Sequence, residues 1–149
     1  MSKGNTFEND LMKLIFNGTA ISKIADNASV TPLTNLYLAL HTDNPGEGGT
    51  QTTNEANYTD YGRVAVARAV GVPGVSGFTV SGAQATNAAL VQFIISGGGT
   101  NVVSYVSIGT DDYPAAGKIL YSGALSAPRT ITVGIQPQFS AGDLIFEED

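Results

Sequence analysis

Apolar residues follow two different periods along this chain. Near the N-terminus Phe7, Leu11, Leu14 and Ile15 recur at spacings of three and four, which predicts an amphipathic helix over residues 6–16. Thr6, Glu8 and Asp10 suit its N-terminus, and Asn17-Gly18 ends it. Ile21 and Ile24 extend the helix or open a short new turn, and Ala28-Ser29-Val30-Thr31-Pro32 reads as extended chain, because the residue before a proline is pushed out of the helical region. From Asn35 onward the period changes to alternation. Short apolar runs, separated by Gly, Pro, Asn and Asp clusters, predict about eight strands, over residues 36–42, 63–70, 78–80, 89–96, 102–108, 118–122, 129–135 and 143–146. In the first, Leu36, Leu38 and Leu40 share one face, and Tyr37, Ala39 and His41 the other.

One helix followed by strands with no helical pattern between them excludes a βαβ architecture. The expected fold is mainly β: an antiparallel β-sandwich, jelly-roll or Greek-key like, with a short N-terminal helix. Residues 1–34 form the helix and an extended arm, and residues 35–149 the sandwich domain. Between the first two strands, residues 43–61 make a long polar loop that reads as unstructured, and loops of this length in a compact domain usually carry function. Contact with a partner is its expected use. Gly97-Gly98-Gly99 reads as a flexible hairpin turn, and Glu147-Glu148-Asp149 as a solvated acidic tail.

Charge alters this picture. Only 13% of the 149 residues are charged, against about 25% in an ordinary soluble domain, so the exterior is built of Thr, Ser, Asn, Gly and Ala. Such a surface desolvates cheaply. Two readings fit it: flanks covered by neighbouring molecules, or a neutral β-rich domain. With seven Lys and Arg against thirteen Asp and Glu, no basic surface is expected for nucleic acid. No apolar run approaches the ~18 residues of a membrane span, and no signal-peptide pattern stands at the N-terminus. Neither a nucleic-acid nor a membrane partner is expected, and synthesis is expected in a cytoplasm.

The candidate chemistry is sparse. There is no cysteine and a single histidine, His41, which precludes the usual zinc sets. At a strand end, His41 is expected to bond to loop backbone, and no spacing singles out a nucleophile or carboxylate to complete a triad with it. Asp43, Glu47, Glu55 and Asp60 lie in the one loop; they read as solvated charge, the competing reading being an all-oxygen calcium site, though they lack the spaced EF-hand pattern. Asp111-Asp112, before Tyr113-Pro114, reads as turn capping. Arg63 and Arg68 stand five apart in the second strand, hence on opposite faces. Either one of them points inward and pairs with a carboxylate, or both are solvated edge residues. No catalytic residue, cofactor or metal is expected.

The stretch NLYLALHTDNPGEGGTQTTNEANYTDYGRVAVAR, residues 35–68, resembles the opening strand, long loop and second strand of a family of tailed-phage virion proteins labelled tail fibre or capsid decoration (cement) proteins. Gly77 to Gly82, Val106 to Thr110 and Gly117 to Gly123 are similar to the family's later blocks, so the likeness runs from about residue 35 to 135. This chain departs from the family at Asp43-Asn44-Pro45, where Ala-Asp-Pro is common, and at Phe78, where Trp is common. The resemblance implies a virion structural protein with no chemical step. Without repeats or a heptad, a compact sandwich fits a cement role on the outer capsid surface, bridging subunits of the major capsid protein, better than a slender fibre; a tail or tail-fibre component in host attachment is the alternative. A homo-oligomer, dimer or trimer, is expected, with Phe7, Leu11, Leu14, Asp43, Glu47, Glu55, Asp60, Arg63 and Arg68 as interface candidates.

Overall fold

The computed structural model describes residues 5–21 and 32–148. Ile24 and nearly all of the 28–32 segment expected to be extended lie outside the described residues, as does Asp149. Among the described residues one helix, α1 (Asn5–Asn17), precedes nine strands: β1 (Asn35–His41), β2 (Val64–Ala67), β3 (Phe78–Ser81), β4 (Gln84–Asn87), β5 (Val91–Gln92), β6 (Asn101–Gly109), β7 (Ile119–Ile131), β8 (Gln138–Phe139) and β9 (Ile145–Glu147). The fold is mainly β with antiparallel sheets and one short helix, as the two periods predict. The strands form a sheet of order β2-β1-β6-β7, a second of order β3-β4-β9, and a short ladder of β5 with β8.

The chain divides into two compact units, Met1–Asn35 with Val66–Val91 and Phe139–Asp149, and Leu36–Ala65 with Gln92–Gln138. In the first, α1 packs on the β3–β4 hairpin. Among the described side chains of the helix, Met12 and Phe16, one turn apart, are buried, whereas Leu11 and Leu14 are only half-buried. Phe16 meets Phe78 of β3 at 4.9 Å between ring centroids and Phe146 of β9 at 5.1 Å, so three aromatic rings from distant parts of the chain make one cluster.

The helix ends as predicted, with Gly18 in the left-handed region at φ 66° and Thr19 N bonded back to Lys13 O. Its exposed carbonyls have a further partner. Arg68, just past β2, donates from Nε to Ile15 O at 2.7 Å, from Nη2 to Leu14 O, and from Nη1 to Leu33 O at 3.3 Å. A cation at a helix C-terminus meets both the unpaired carbonyls and the negative end of the dipole. Arg68→Met, which keeps the stem and removes these donors, is expected to cost about 2 kcal/mol and to speed amide exchange in α1; an unchanged melting temperature and exchange pattern would contradict this.

In the second unit β1 is the central strand, pairing with β6 from Tyr37↔Gly109 to His41↔Tyr105. It is buried on both faces, Leu36, Leu38 and Leu40 on one and Ala39 and His41 on the other. The strands predicted over 118–122 and 129–135 meet in one strand, β7, which ends at Ile131; residues 132–135 turn instead, Ile135 N donating to Thr132 O. Tyr105 stands opposite Ala124 and Val103 opposite Arg129, so 125–128 bulges out against Ser104. Pro128, which cannot donate to a ladder, falls within this bulge, so the chain passes it without reversing.

Three further expectations change. Only Val91–Gln92 of the 89–96 run is ladder-paired, and β4 and β8 were not foreseen, because Gln84, Ala85 and Asn87 carry little strand signal and β8 is only two residues long. Gly97 and Gly98 do not turn a hairpin: their backbones pair with Thr59, Gly97 N donating to Thr59 O and Thr59 N to Gly98 O. A Cβ on Gly97 would meet the Asp60 carboxylate, so any larger residue there would make that exposed side chain swing aside. Glu147 belongs to β9, opposite Gln84, whose Nε2 donates to its carboxylate at 2.8 Å.

Candidate functional site

The 43–61 loop, expected to be unstructured, is built into the second unit. Polar residues with short side chains made it look like free coil, but its backbone runs back beside the end of β1: Thr42 N donates to Asn54 O and Ala56 N to Leu40 O, both at 2.8 Å. Gln51, Ala56, Tyr58 and Tyr61 are buried. Gln51 enters the gap between Gly109 and Gly117, where a Cβ on either would overlap it, and bonds from Nε2 to Tyr37 O and from Asp111 N to Oε1. Two glycines and one glutamine thus lock the loop onto the sheet.

Beneath the loop lies a buried polar network. Arg63 and Glu55 form a bidentate pair, Nε to Oε1 at 2.7 Å and Nη2 to Oε2 at 2.8 Å, with side chains 0% and 5% exposed. Arg63 Nη1 also donates to Asp111 O and Asp112 O. The Tyr61 hydroxyl donates to Glu55 Oε1 at 2.9 Å and accepts from Leu40 N, while its ring lies edge-on to Tyr58 and Tyr113. Burial, then the Glu55 charge, pushes the Tyr61 hydroxyl far up, and burial raises that of Tyr58, bonded to Ile94 O, to about 12.

His41, fully buried, bonds to loop backbone as expected. A carbonyl only accepts, so His41 Nδ1–H donates to Thr53 O at 2.8 Å, and the neutral ring's Nε2 accepts from Ser107 Oγ at 2.7 Å. A serine, a histidine and an orienting oxygen are therefore in line, but both side chains are sealed from solvent, with 0% and 1% exposure, which leaves a substrate no approach. Desolvation is the largest influence on His41 and lowers its pKa from 6.5, with Arg63 adding to this against Thr53 and Glu55. The unfolded chain then binds a proton that the native chain refuses, so stability falls as pH drops through and below 6.5, by at most about 1.4 kcal/mol per pH unit. Denaturant titrations at stepped pH should show that slope, and His41→Gln should flatten it; an equal slope in the variant would locate the proton elsewhere.

The interface candidates separate. Glu55 and Arg63 meet in the buried pair, as the inward reading of an arginine requires. Arg68 caps α1. Asp43 is exposed and accepts Asn44 N at 2.7 Å, Asp60 is exposed in the left-handed region at φ 71°, and Glu47 is exposed on the rim of a surface cleft. Leu11 and Leu14 lie half-buried on α1, and the Phe7 side chain is outside the described residues. The four loop carboxylates do not converge, and among the described residues no group of three or more His, Asp or Glu could hold a metal ion. Asp112 caps its turn through Tyr113 N, and Asp111 meets the Thr110 hydroxyl. No helix among the described residues is long and apolar enough to cross a membrane.

Several large apolar side chains remain in solvent. Ile94, Ile95, Val133 and Ile135 are 44–69% exposed on two segments that bond to each other through Ser96 N to Ile135 O and Gly134 N to Ser96 O. Sequence periodicity missed them because apolar alternation marks a strand face without telling whether this chain covers it. The edge strand β7 is exposed through most of its length. The surface thus offers apolar and backbone contacts. In comparisons with known proteins, residues 2–147 match the family model described as podophage GP4 fiber I protein gp80. No curated protein matches the chain.

Proposed function

Because the chain belongs to the podophage fiber I protein family and is a phage structural protein, we propose that it is a component of a virion fiber that takes part in host attachment. The observation that carries this reading is the extent of the family match, which spans nearly the whole chain, including the N-terminal helix. It favours the fiber over the capsid cement role that compactness and the lack of repeats pointed to. A fiber can be assembled from compact units, so compactness does not argue against one.

The surface supports an assembly role without catalysis. Exposed apolar clusters mark places where a molecule meets another, and the 44–69% exposure of Ile94, Ile95, Val133 and Ile135 is costly in a free monomer. β7 stands at the edge of its sheet, where a second copy can add a strand. On this reading the partner is another copy of the chain, in a dimer or trimer, and the low charge density keeps the desolvation cost of that contact small.

Immunogold labelling of intact virions, with copy number from gel densitometry, tests the proposal. Label on fibers at a low copy number is expected. Label spread over the capsid in many copies, with add-back of the protein raising the heat resistance of depleted capsids, would instead restore the cement role and the major capsid protein as partner.

A further inference from the structure

We propose that the cleft between the start of the 43–61 loop and strands β6 and β7 is a binding site for a neutral saccharide; the setting of this proposal, though not its chemistry, rests on the fiber reading. The cleft has a volume of about 410 Å³ and is lined by Asn44, Glu47, Tyr105, Leu120, Tyr121 and Ser122 among others. That volume falls in the range of about 300–1,000 Å³ typical of small-molecule sites.

The walls are fixed before any ligand arrives. Asn44 N bonds to the Asp43 carboxylate, Gly46 N to Asn44 Oδ1 at 2.9 Å, Asn54 Nδ2 to Asn44 O at 3.0 Å, and Gly49 N to Gly46 O at 3.1 Å. Opposite stands the β6–β7 ladder, in which Ser107 faces Ser122. Alternation then puts Tyr105 and Ser122 on the side of the ladder that also carries Ser107, and the register shift that skips Leu120 lies beside them in the lining. The loop seals His41 and Ser107, and the cleft opens where that cover stops at Glu47. A site on a rigid ladder with a self-bonded loop spends little ordering entropy on binding.

The donor set selects the ligand. Tyr105 is half-buried, so its ring is held while part of it remains accessible. An aromatic ring offers a flat apolar surface to the C–H face of a sugar. Around it, the Asn44 amide donates, the Glu47 carboxylate accepts, and the Ser122 hydroxyl does either, which matches the mixed hydrogen bonding of sugar hydroxyls. No Lys or Arg lines the cleft, and Glu47 with a chain charge of −6 repels phosphates and acidic sugars. One carboxylate is too few for a cation site. Neutral polyhydroxyl compounds remain.

The probes are trisaccharides of glucose, galactose, mannose and N-acetylglucosamine, each titrated into the full chain and followed by amide chemical shifts. At least one is expected to shift residues 44–47, 105 and 119–122. Tyr105→Ala should weaken that binding about tenfold, while Tyr105→Phe, which keeps the ring, should stay within about twofold. Ser122 is exposed, so Ser122→Trp fills the cleft without touching the core and should abolish the shifts; it serves as the decisive variant if Tyr105→Ala does not fold. The proposal is overturned if none of the four sugars causes shifts, if the shifts map elsewhere, or if a folded Tyr105→Ala or Ser122→Trp binds like the parent. Immunogold labelling separates this from the fiber reading: label on fibers with no sugar binding sinks only the site, and sugar binding with label on the capsid sinks only the fiber.

Discussion

Arg63→Ala is expected to lower the unfolding free energy by about 3–5 kcal/mol, the cost of leaving one member of a buried ion pair alone. Glu55 accepts both of its strong bonds from Arg63 with side chains 0% and 5% exposed, so its carboxylate would lose its counter-charge where water cannot replace it. The loss would spread. Tyr61 bonds the same carboxylate and holds Leu40 N, and Arg63 Nη1 holds the carbonyls of Asp111 and Asp112. Arg63→Lys should recover little, since an ammonium cannot reach both carboxylate oxygens and both carbonyls from one point. The double variant Arg63→Met, Glu55→Leu should be far less damaging than either single change, because no charge is left stranded. Denaturant unfolding of the four proteins gives the cycle. A single-variant cost under about 1 kcal/mol, the worth of a surface pair, would show that the network is hydrated and the burial argument mistaken.

The second large effect lies in the other unit. Phe78→Ala should cost about 3–5 kcal/mol, because Phe78 is fully buried between Phe16 of α1 and Phe146 of β9, at ring distances of 4.9 and 6.1 Å. Its loss leaves a void between elements with no other covalent proximity. Amide exchange should therefore accelerate in α1, β3 and β9 together. Phe78→Trp, which installs the residue common in the resembled family, should cost about 1–3 kcal/mol by overpacking a site shaped for the smaller ring. If Phe78→Ala left α1 as protected as in the parent, the helix would be held by something other than this cluster.

Both effects come from contacts that join residues far apart in the chain, and this separates what was legible beforehand from what was not. Arg63 and Glu55 were each singled out, one as a scarce cation and one as a loop carboxylate, yet nothing in their spacing paired them. Loop carboxylates look alike in sequence; Glu55 differs from Asp43 and Glu47 only because the chain returns along β1 and carries it under cover. Gln51 gave no signal, since a glutamine in a polar loop reads as solvated until Gly109 and Gly117 are brought around it. The cleft was equally invisible, its tyrosines and Asn44 coming from segments some sixty residues or more apart.

The amino-acid order alone determined the helix, its stop at Asn17-Gly18, most of the strands and the mainly β class, because periodicity and turn chemistry act over a few residues. It also carried the virion-protein resemblance. Only the tertiary structure decided that the long loop is part of the sheet's cover, that β7 is one bulged strand, and that His41 and Ser107 meet out of reach of solvent. Those outcomes depend on burial, which is set by which distant segments pack together, and burial decides whether a polar side chain is paired, hydrated or open to a ligand.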